Sequence, residues 1–179
     1  MKKINGYNNA QAITGNRERL PAGGYVCRIV KVEDVPEKEY LKISYDILEG
    51  DYAKYYEGVY ERNGKEWWPA SFIRSYKETA IGFFKGFIEA VDESNGTKFG
   101  DLVESGFDEQ QLLRKKIGLV IGYEEYRNRN GELKERAYVA RNTTVQNIED
   151  GKYTVPELKR EKQDPVFAEL ETTDSDLPF

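Results

Sequence analysis

Residues 40–76 combine flat aromatic rings with positively charged side chains. Both tryptophans of the chain, Trp67 and Trp68, fall in this stretch with many of its 13 tyrosines, and Lys42, Lys65 and Arg74 lie among them. A single nucleic-acid strand exposes base faces, on which rings stack, and phosphates, which cations neutralise. The stretch therefore predicts a positively charged, ring-lined channel that binds single strands with little sequence preference.

Further cations that could serve such a channel come from the first predicted strand and from a later hairpin. Neighbouring side chains of a strand point to opposite faces. One ring of the Trp67–Trp68 pair should therefore be open, with Trp67 preferred, and Tyr55 and Tyr56 pose the same alternative. The predicted DNA-binding residues are Arg28, Lys31, Lys42, Tyr55, Tyr56, Tyr60, Lys65, Trp67, Trp68, Arg74, Arg127, Arg129 and Arg136.

The residue types present argue against most catalytic chemistry. The chain has no histidine and one cysteine, Cys27, which excludes Ser-His-Asp and Cys-His catalysis and a histidine-ligated or cysteine-rich metal site. Adjacent carboxylates such as Glu33 and Asp34 should diverge on a strand. We predict that the protein is not an enzyme and has no metal or cofactor; a Mg²⁺-dependent nuclease is a weaker alternative.

The negative charge is concentrated at the carboxyl end. The formal net charge is −5, and residues 161–179 carry six acidic side chains and one basic one, so that residues 1–160 are neutral overall. From Gln163 onward there is no positive charge, and five mutually repelling carboxylates predict a solvated, disordered tail.

Strand patterns fill the first half of the predicted body. A strand over Tyr25–Val35 shifts its alternation in a way that suggests a bulge, and a cleanly alternating strand runs from Leu41 to Ile47. Asn63-Gly64 predicts a hairpin between strands at Tyr55–Arg62 and Lys65–Phe72.

The remaining elements are one helix and a second hairpin. Ser75 and Glu78 form a predicted capping box for a helix with an apolar face up to Val91, which stops near Ser94-Asn95-Gly96. A short helical turn is expected over Asp108–Leu113. Two strands then flank a turn at residues 128–131, and the last of them runs to about Ile148.

This order predicts a mainly β fold, a five-stranded Greek-key barrel of the oligonucleotide/oligosaccharide-binding (OB) type with a helix between strands 3 and 4. Other small barrels and α+β sheets share these elements. The predicted divisions are a flexible N-terminal arm at 1–20, the OB-fold DNA-binding domain at 21–150, and a linker with an acidic partner-binding tail at 151–179.

The end of the chain, Asp174-Ser175-Asp176-Leu177-Pro178-Phe179, resembles the acidic tip of bacterial and phage single-stranded DNA-binding proteins. Leu20-Pro21-Ala22-Gly23 and Phe84-Lys85-Gly86-Phe87-Ile88 are more loosely similar to phage-encoded members. The resemblance implies an OB fold, coating of single strands, and a tip that recruits replication, recombination or repair proteins. Ser175 departs from the all-acidic pattern, and the tail is short.

Together these features predict a protein of a phage or similar element that binds single-stranded DNA in the cytoplasm of its bacterial host. The residues of the predicted partner-binding tip are Asp174, Asp176, Leu177, Pro178 and Phe179. No membrane association is expected because no apolar run approaches the ~20 residues of a membrane span. The sequence leaves open whether the protein forms a homo-oligomer. The main alternative is a protein-interaction module with a tyrosine-rich barrel surface.

Overall fold

Five antiparallel strands form one sheet in the order β3-β2-β1-β4-β5 in the computed structural model, which describes residues 19–161. The strands are β1 (Gly23–Val35), β2 (Tyr40–Ile47), β3 (Ser71–Ser75), β4 (Lys116–Arg127) and β5 (Leu133–Thr143). The helices are α1 (Tyr55–Arg62), α2 (Ile81–Asn95) and α3 (Val145–Glu149). The mainly β fold with a helix between strands 3 and 4 is thus confirmed, whereas the sheet is open, with β3 and β5 at its edges.

The bulge predicted in β1 is present between Ile29 and Lys31, where the pairing with β2 shifts register. Cys27 and Ile29 are buried before it, and Val32 is buried after it. The extra residue therefore turns Val32 into the core and Lys31 outward, the reverse of what strict alternation from Ile29 would give.

The hairpin predicted around Asn63-Gly64 is wrong, because residues 55–62 form helix α1. The carboxylate of Asp46 on β2 accepts the N–H groups of Tyr56 and Glu57 at 2.9 and 3.1 Å, which satisfies donors that begin the helix. Gly64, at φ 77°, follows the end of the helix. A left-handed glycine ends helices as readily as it turns hairpins.

Helix α2 has the predicted apolar face, with Phe84, Phe87, Ile88 and Val91 buried, and it ends at Asn95 before a left-handed Gly96. The helical turn expected after it is present as a 3-10 helix at Glu109–Leu112. No helix within residues 19–161 has the length and apolarity to cross a membrane.

Two predicted boundaries are wrong. The capping box is absent, because Ser75 is the last residue of β3 and α2 begins at Ile81 after a short 3-10 helix. Strand β5 stops at Thr143 because the Thr144 hydroxyl accepts the Asn147 N–H at 3.1 Å and begins α3.

Side chains link the two open edges of the sheet. The Nε and Nη2 atoms of Arg74 on β3 donate to Oδ1 of Asn142 on β5 at 2.9 and 2.6 Å. The Asn142 amide in turn donates to the Gly86 carbonyl of α2 at 3.4 Å. Burial lowers the pKa of Arg74 to about 10. Arg74 and Asn142 thus bridge the gap between β3 and β5, and Asn142 ties this bridge to α2.

Both ends of the described chain lie against Tyr123 on β4. The Tyr123 hydroxyl donates to the carbonyl of Leu20, which is fully buried. The Tyr123 carbonyl accepts the N–H of Lys159 at 3.0 Å. A Cβ atom on Gly24 would lie 2.6 Å from the Tyr153 ring, so this close approach requires glycine. Residues 151–161, assigned to the linker by sequence, thus pack against the sheet.

Candidate nucleic-acid interface

A groove of about 480 Å³ lies on the outer face of β1 and β2, beside α1 and the loop that follows it. Its floor comes from two strands and its wall from a helix and a loop. The lining residues are Val30, Lys31, Glu33, Lys42, Ser44, Tyr60, Glu66, Trp67 and Trp68. The groove brings together five of the predicted DNA-binding residues: Lys31, Lys42, Tyr60, Trp67 and Trp68.

Strand pairing sets the floor of the groove. Lys31 pairs with Ser44, and Glu33 pairs with Lys42, so these four side chains form two neighbouring cross-strand rows. Lys31 lies in this floor because of the bulge at Val30. The position of the lysine therefore depends on a local irregularity of β1 rather than on regular alternation.

The rings of the groove differ in exposure and in support. Trp67 is 58% exposed, whereas Trp68 is half-buried. The indole N–H of Trp68 donates to the Tyr45 carbonyl at 2.9 Å, and its ring centroid lies 5.1 Å from that of Tyr60. The Asn63 amide holds the carbonyl of Trp67 at 3.0 Å. Trp67 is thus an open ring on an anchored backbone beside a fixed pair of rings.

The groove lining is electrically balanced, with two lysines and two glutamates. It is therefore not the positively charged channel that the sequence predicts. Lys31 Nζ lies 2.8 Å from Glu33 Oε1, and this hydrogen bond lowers the pKa of Glu33. Lys42 and Glu66 form no ion pair within the described part of the chain.

Three predicted ligands have structural contacts instead. Tyr56 is only 6% exposed, and its ring contacts Tyr45 edge-on with 5.4 Å between centroids; burial raises its pKa far above the usual range. The hydroxyl of Tyr55 accepts the Leu20 N–H at 3.3 Å. The guanidinium of Arg74 donates two hydrogen bonds to Asn142. These groups stabilise the fold, and the buried Tyr56 ring is not open to a stacked base.

The remaining predicted cations lie outside the groove. Arg28 on β1 and Lys65 after α1 are exposed. On the β4–β5 hairpin, Arg129 is exposed near the turn, while Arg127 and Arg136 pair with Glu161 and Glu124 at 2.9 and 2.8 Å. The structure therefore separates the arginines of the later hairpin from the rings they were expected to serve.

Sequence reasoning missed Val30, Glu33, Ser44 and Glu66 in the groove, and Ile73 beside it. Ile73 pairs with Lys42 and is 50% exposed, which gives the outer face an apolar neighbour. A strand that continues past Phe72 would have placed Ile73 on the opposite, outer face. The predicted third strand ended at Phe72, so Ile73 was not considered.

Among residues 19–161, no three Cys, Asp or Glu side chains come together in a way that could hold a metal ion. The N-terminal arm up to residue 18 and the tip residues Asp174, Asp176, Leu177, Pro178 and Phe179 lie outside the described residues. Comparison with protein-family models gives no match, and a search of curated proteins finds no significant similarity.

Proposed function

We propose that the protein binds single-stranded DNA with little sequence preference and acts in DNA replication, recombination or repair, as the resemblance of its tip implies. The observation that carries this proposal is the open ring of Trp67 at the rim of a groove that also holds two lysines and two further rings. A stacking platform next to cations is the arrangement that sequence-tolerant binding of single strands requires.

In the proposed mechanism one base stacks on Trp67, and the strand then crosses the floor of the groove. Lys42, which has no ion-pair partner among the described residues, meets one phosphate, and Lys31 meets another by exchanging Glu33 for it. Arg28 and Lys65 extend the track. If four phosphates are neutralised, log K should fall with log salt with a slope of about −3.

Replacing the open ring tests this directly. Trp67→Ala should weaken binding of a mixed-sequence single strand about tenfold, because one base stack contributes ~1–3 kcal/mol. The measurement is a fluorescence-anisotropy titration with labelled oligonucleotide. Phe83→Ala is the matched control, because Phe83 is 77% exposed but lies on α2 and does not line the groove.

Equal losses in the two variants would show that the groove is not the binding site. Failure of the wild-type protein to bind at low salt would reject the proposal as a whole.

We also propose that the sheet is an opened variant of the OB type. In support, β3 and β5 face each other through Arg74 and Asn142, the place where a closed barrel would carry backbone pairing. Helix α2, between β3 and β4 in the chain, lies next to this gap.

A protein-interaction module is the second candidate, and exposed apolar side chains at the start of α2 favour it. Ile81 is 55% and Phe83 77% exposed. Such residues suit an interface core. This candidate requires that the protein is not retained on single-stranded DNA cellulose at low salt, whereas DNA binding requires retention.

A further inference from the structure

We propose that Glu66 gives the groove a preference for bases with an exocyclic amino group, so that a cytosine strand binds more tightly than a thymine strand. This inference rests on the proposed function and concerns the same groove. It starts from a carboxylate that the sequence did not identify and that lies among the rings and cations of the groove.

The two acidic side chains of the groove have different surroundings. Glu33 is engaged by Lys31 at 2.8 Å and stands opposite Lys42. Glu66 is exposed and has neither a hydrogen bond nor an ion pair within residues 19–161. Its acceptor atoms are therefore available to a ligand without the loss of an internal contact.

Glu66 directly precedes Trp67, and both line the groove. Their Cα atoms are thus ~3.8 Å apart. A base stacked on the Trp67 ring presents its hydrogen-bonding edge at the side of the ring, within the range of a neighbouring glutamate side chain. The residue that holds the base face and the residue that meets its edge are consecutive in the chain.

The chemistry of the base edge then decides the preference. An ionised carboxylate accepts hydrogen bonds and donates none. Cytosine offers the N4 amino group as a donor, whereas thymine carries the acceptor O4 at the same position. A carboxylate is attracted to the first and repelled by the second. Adenine, with its N6 amino group, falls on the cytosine side.

A non-specific role of Glu66 makes a different prediction. A negative charge that only repels phosphates weakens every strand by the same factor and leaves the ratio of two affinities unchanged. The change in the ratio between cytosine and thymine strands when Glu66 is replaced therefore isolates the contact with the base.

The experiment compares oligo-dC with oligo-dT at neutral pH and constant salt for the wild type, Glu66→Gln and Glu61→Gln. The wild type should bind oligo-dC about fivefold more tightly, below the range of a full bidentate contact. In Glu66→Gln the ratio should fall towards unity, because the amide can donate to O4. Glu61 is exposed at the end of α1 and outside the groove, so Glu61→Gln should keep the wild-type ratio.

Equal affinities for the two strands in the wild type, or an unchanged ratio in Glu66→Gln, would overturn the role of Glu66 and leave single-strand binding intact. Absence of binding to both strands would instead reject the proposed function and this inference with it. Circular dichroism of each variant checks that the fold is retained.

Discussion

At the scale of single residues, the ion pair between Lys31 and Glu33 sets the availability of one cation in the groove. A phosphate that binds Lys31 must compete with a carboxylate already 2.8 Å away. Exposed pairs of this kind contribute ~0.2–1 kcal/mol. Glu33 therefore reduces affinity by a modest amount in the proposed binding mode.

Glu33→Gln should raise the affinity for single-stranded DNA about two- to fivefold at low salt, because it frees Lys31 and removes a charge that repels phosphate. The slope of log K against log salt should stay at about −3, because Lys31 already meets a phosphate in the proposed binding mode. Titrations at several salt concentrations measure both effects.

Glu89→Gln is the control for this prediction, because Glu89 pairs with Lys85 at 3.8 Å on α2, away from the groove. If both variants gain affinity equally, the gain comes from net charge and the Lys31–Glu33 pair has no role of its own.

The composition of the chain located part of the groove but not its electrostatic balance. Rings and cations near residues 40–76 led to Tyr60, Trp67 and Lys42, because many rings interleaved with cations mark a site as a set. Glu66 was not identified, because surface glutamates are common. Only the folded structure shows that this one lines the groove together with the rings and cations.

At the scale of elements, α1 depends on a residue in another element. The Asp46 carboxylate on β2 accepts N–H groups from Ile47, Tyr56 and Glu57, at 2.8, 2.9 and 3.1 Å. Burial raises the pKa of Asp46, and these hydrogen bonds oppose the shift. The contact fixes the start of the helix that carries Tyr60 into the groove.

Asp46→Ala should lower the free energy of unfolding by about 1–3 kcal/mol, because it removes a helix cap and leaves buried donors unsatisfied. Urea denaturation measures this loss. Asp108→Ala is a milder control, because the exposed Asp108 caps a short 3-10 helix through the single N–H of Gln110. If the two variants lose the same stability, Asp46 does not organise α1.

Local sequence could not reveal α1. Asn63-Gly64 fits a hairpin turn and a helix end equally well, and the cap that favours the helix lies ten residues before its first bonded donor, Tyr56. By contrast, α2 was recognised because its apolar face and the glycine that follows its last residue lie in one continuous stretch of sequence.

At the scale of the whole molecule, we expect the acidic residues that follow Glu161 to compete with DNA for the cations of the proposed groove. The described chain ends at Glu161, whose N–H bonds to Glu125 and whose carboxylate pairs with Arg127 on the β4–β5 hairpin. The following residues contain five carboxylates and one lysine. Glu161, to which they are attached, pairs with the exposed Arg127.

Deletion of residues 171–179 should raise the affinity for single-stranded DNA at low salt, because the tail carboxylates are expected to compete with phosphates for the same cations. It should also abolish recruitment of a partner protein, because it removes the predicted partner-binding tip. The gain should shrink as salt screens the interaction. Binding isotherms at low and high salt measure the competition.

A shorter deletion that removes only Leu177-Pro178-Phe179 separates the two roles. It keeps every acidic side chain, so DNA affinity should stay at the wild-type value while partner recruitment is lost. If the longer deletion leaves DNA affinity unchanged as well, the tail serves only the partner.

The overall architecture was predictable as a mainly β fold with a helix between strands 3 and 4, because alternation and the apolar face of α2 are local patterns. The full element order was not, since residues 55–62 were predicted as a strand and form α1. The open gap between β3 and β5, bridged by Arg74 and Asn142, did not follow, since the two residues are 68 positions apart in the chain.

The meeting of Leu20 and Lys159 at Tyr123 has a topological consequence. A short connecting peptide would join the two ends of the folded body into a ring without stretching any strand. Such a ring could be reopened at the exposed turn around Asn130, where the hydrogen bonds of residues 128–131 are local and stay within residues 127–132. A circularly permuted protein would then keep its groove intact while its new termini emerged from the far tip of the β4–β5 hairpin.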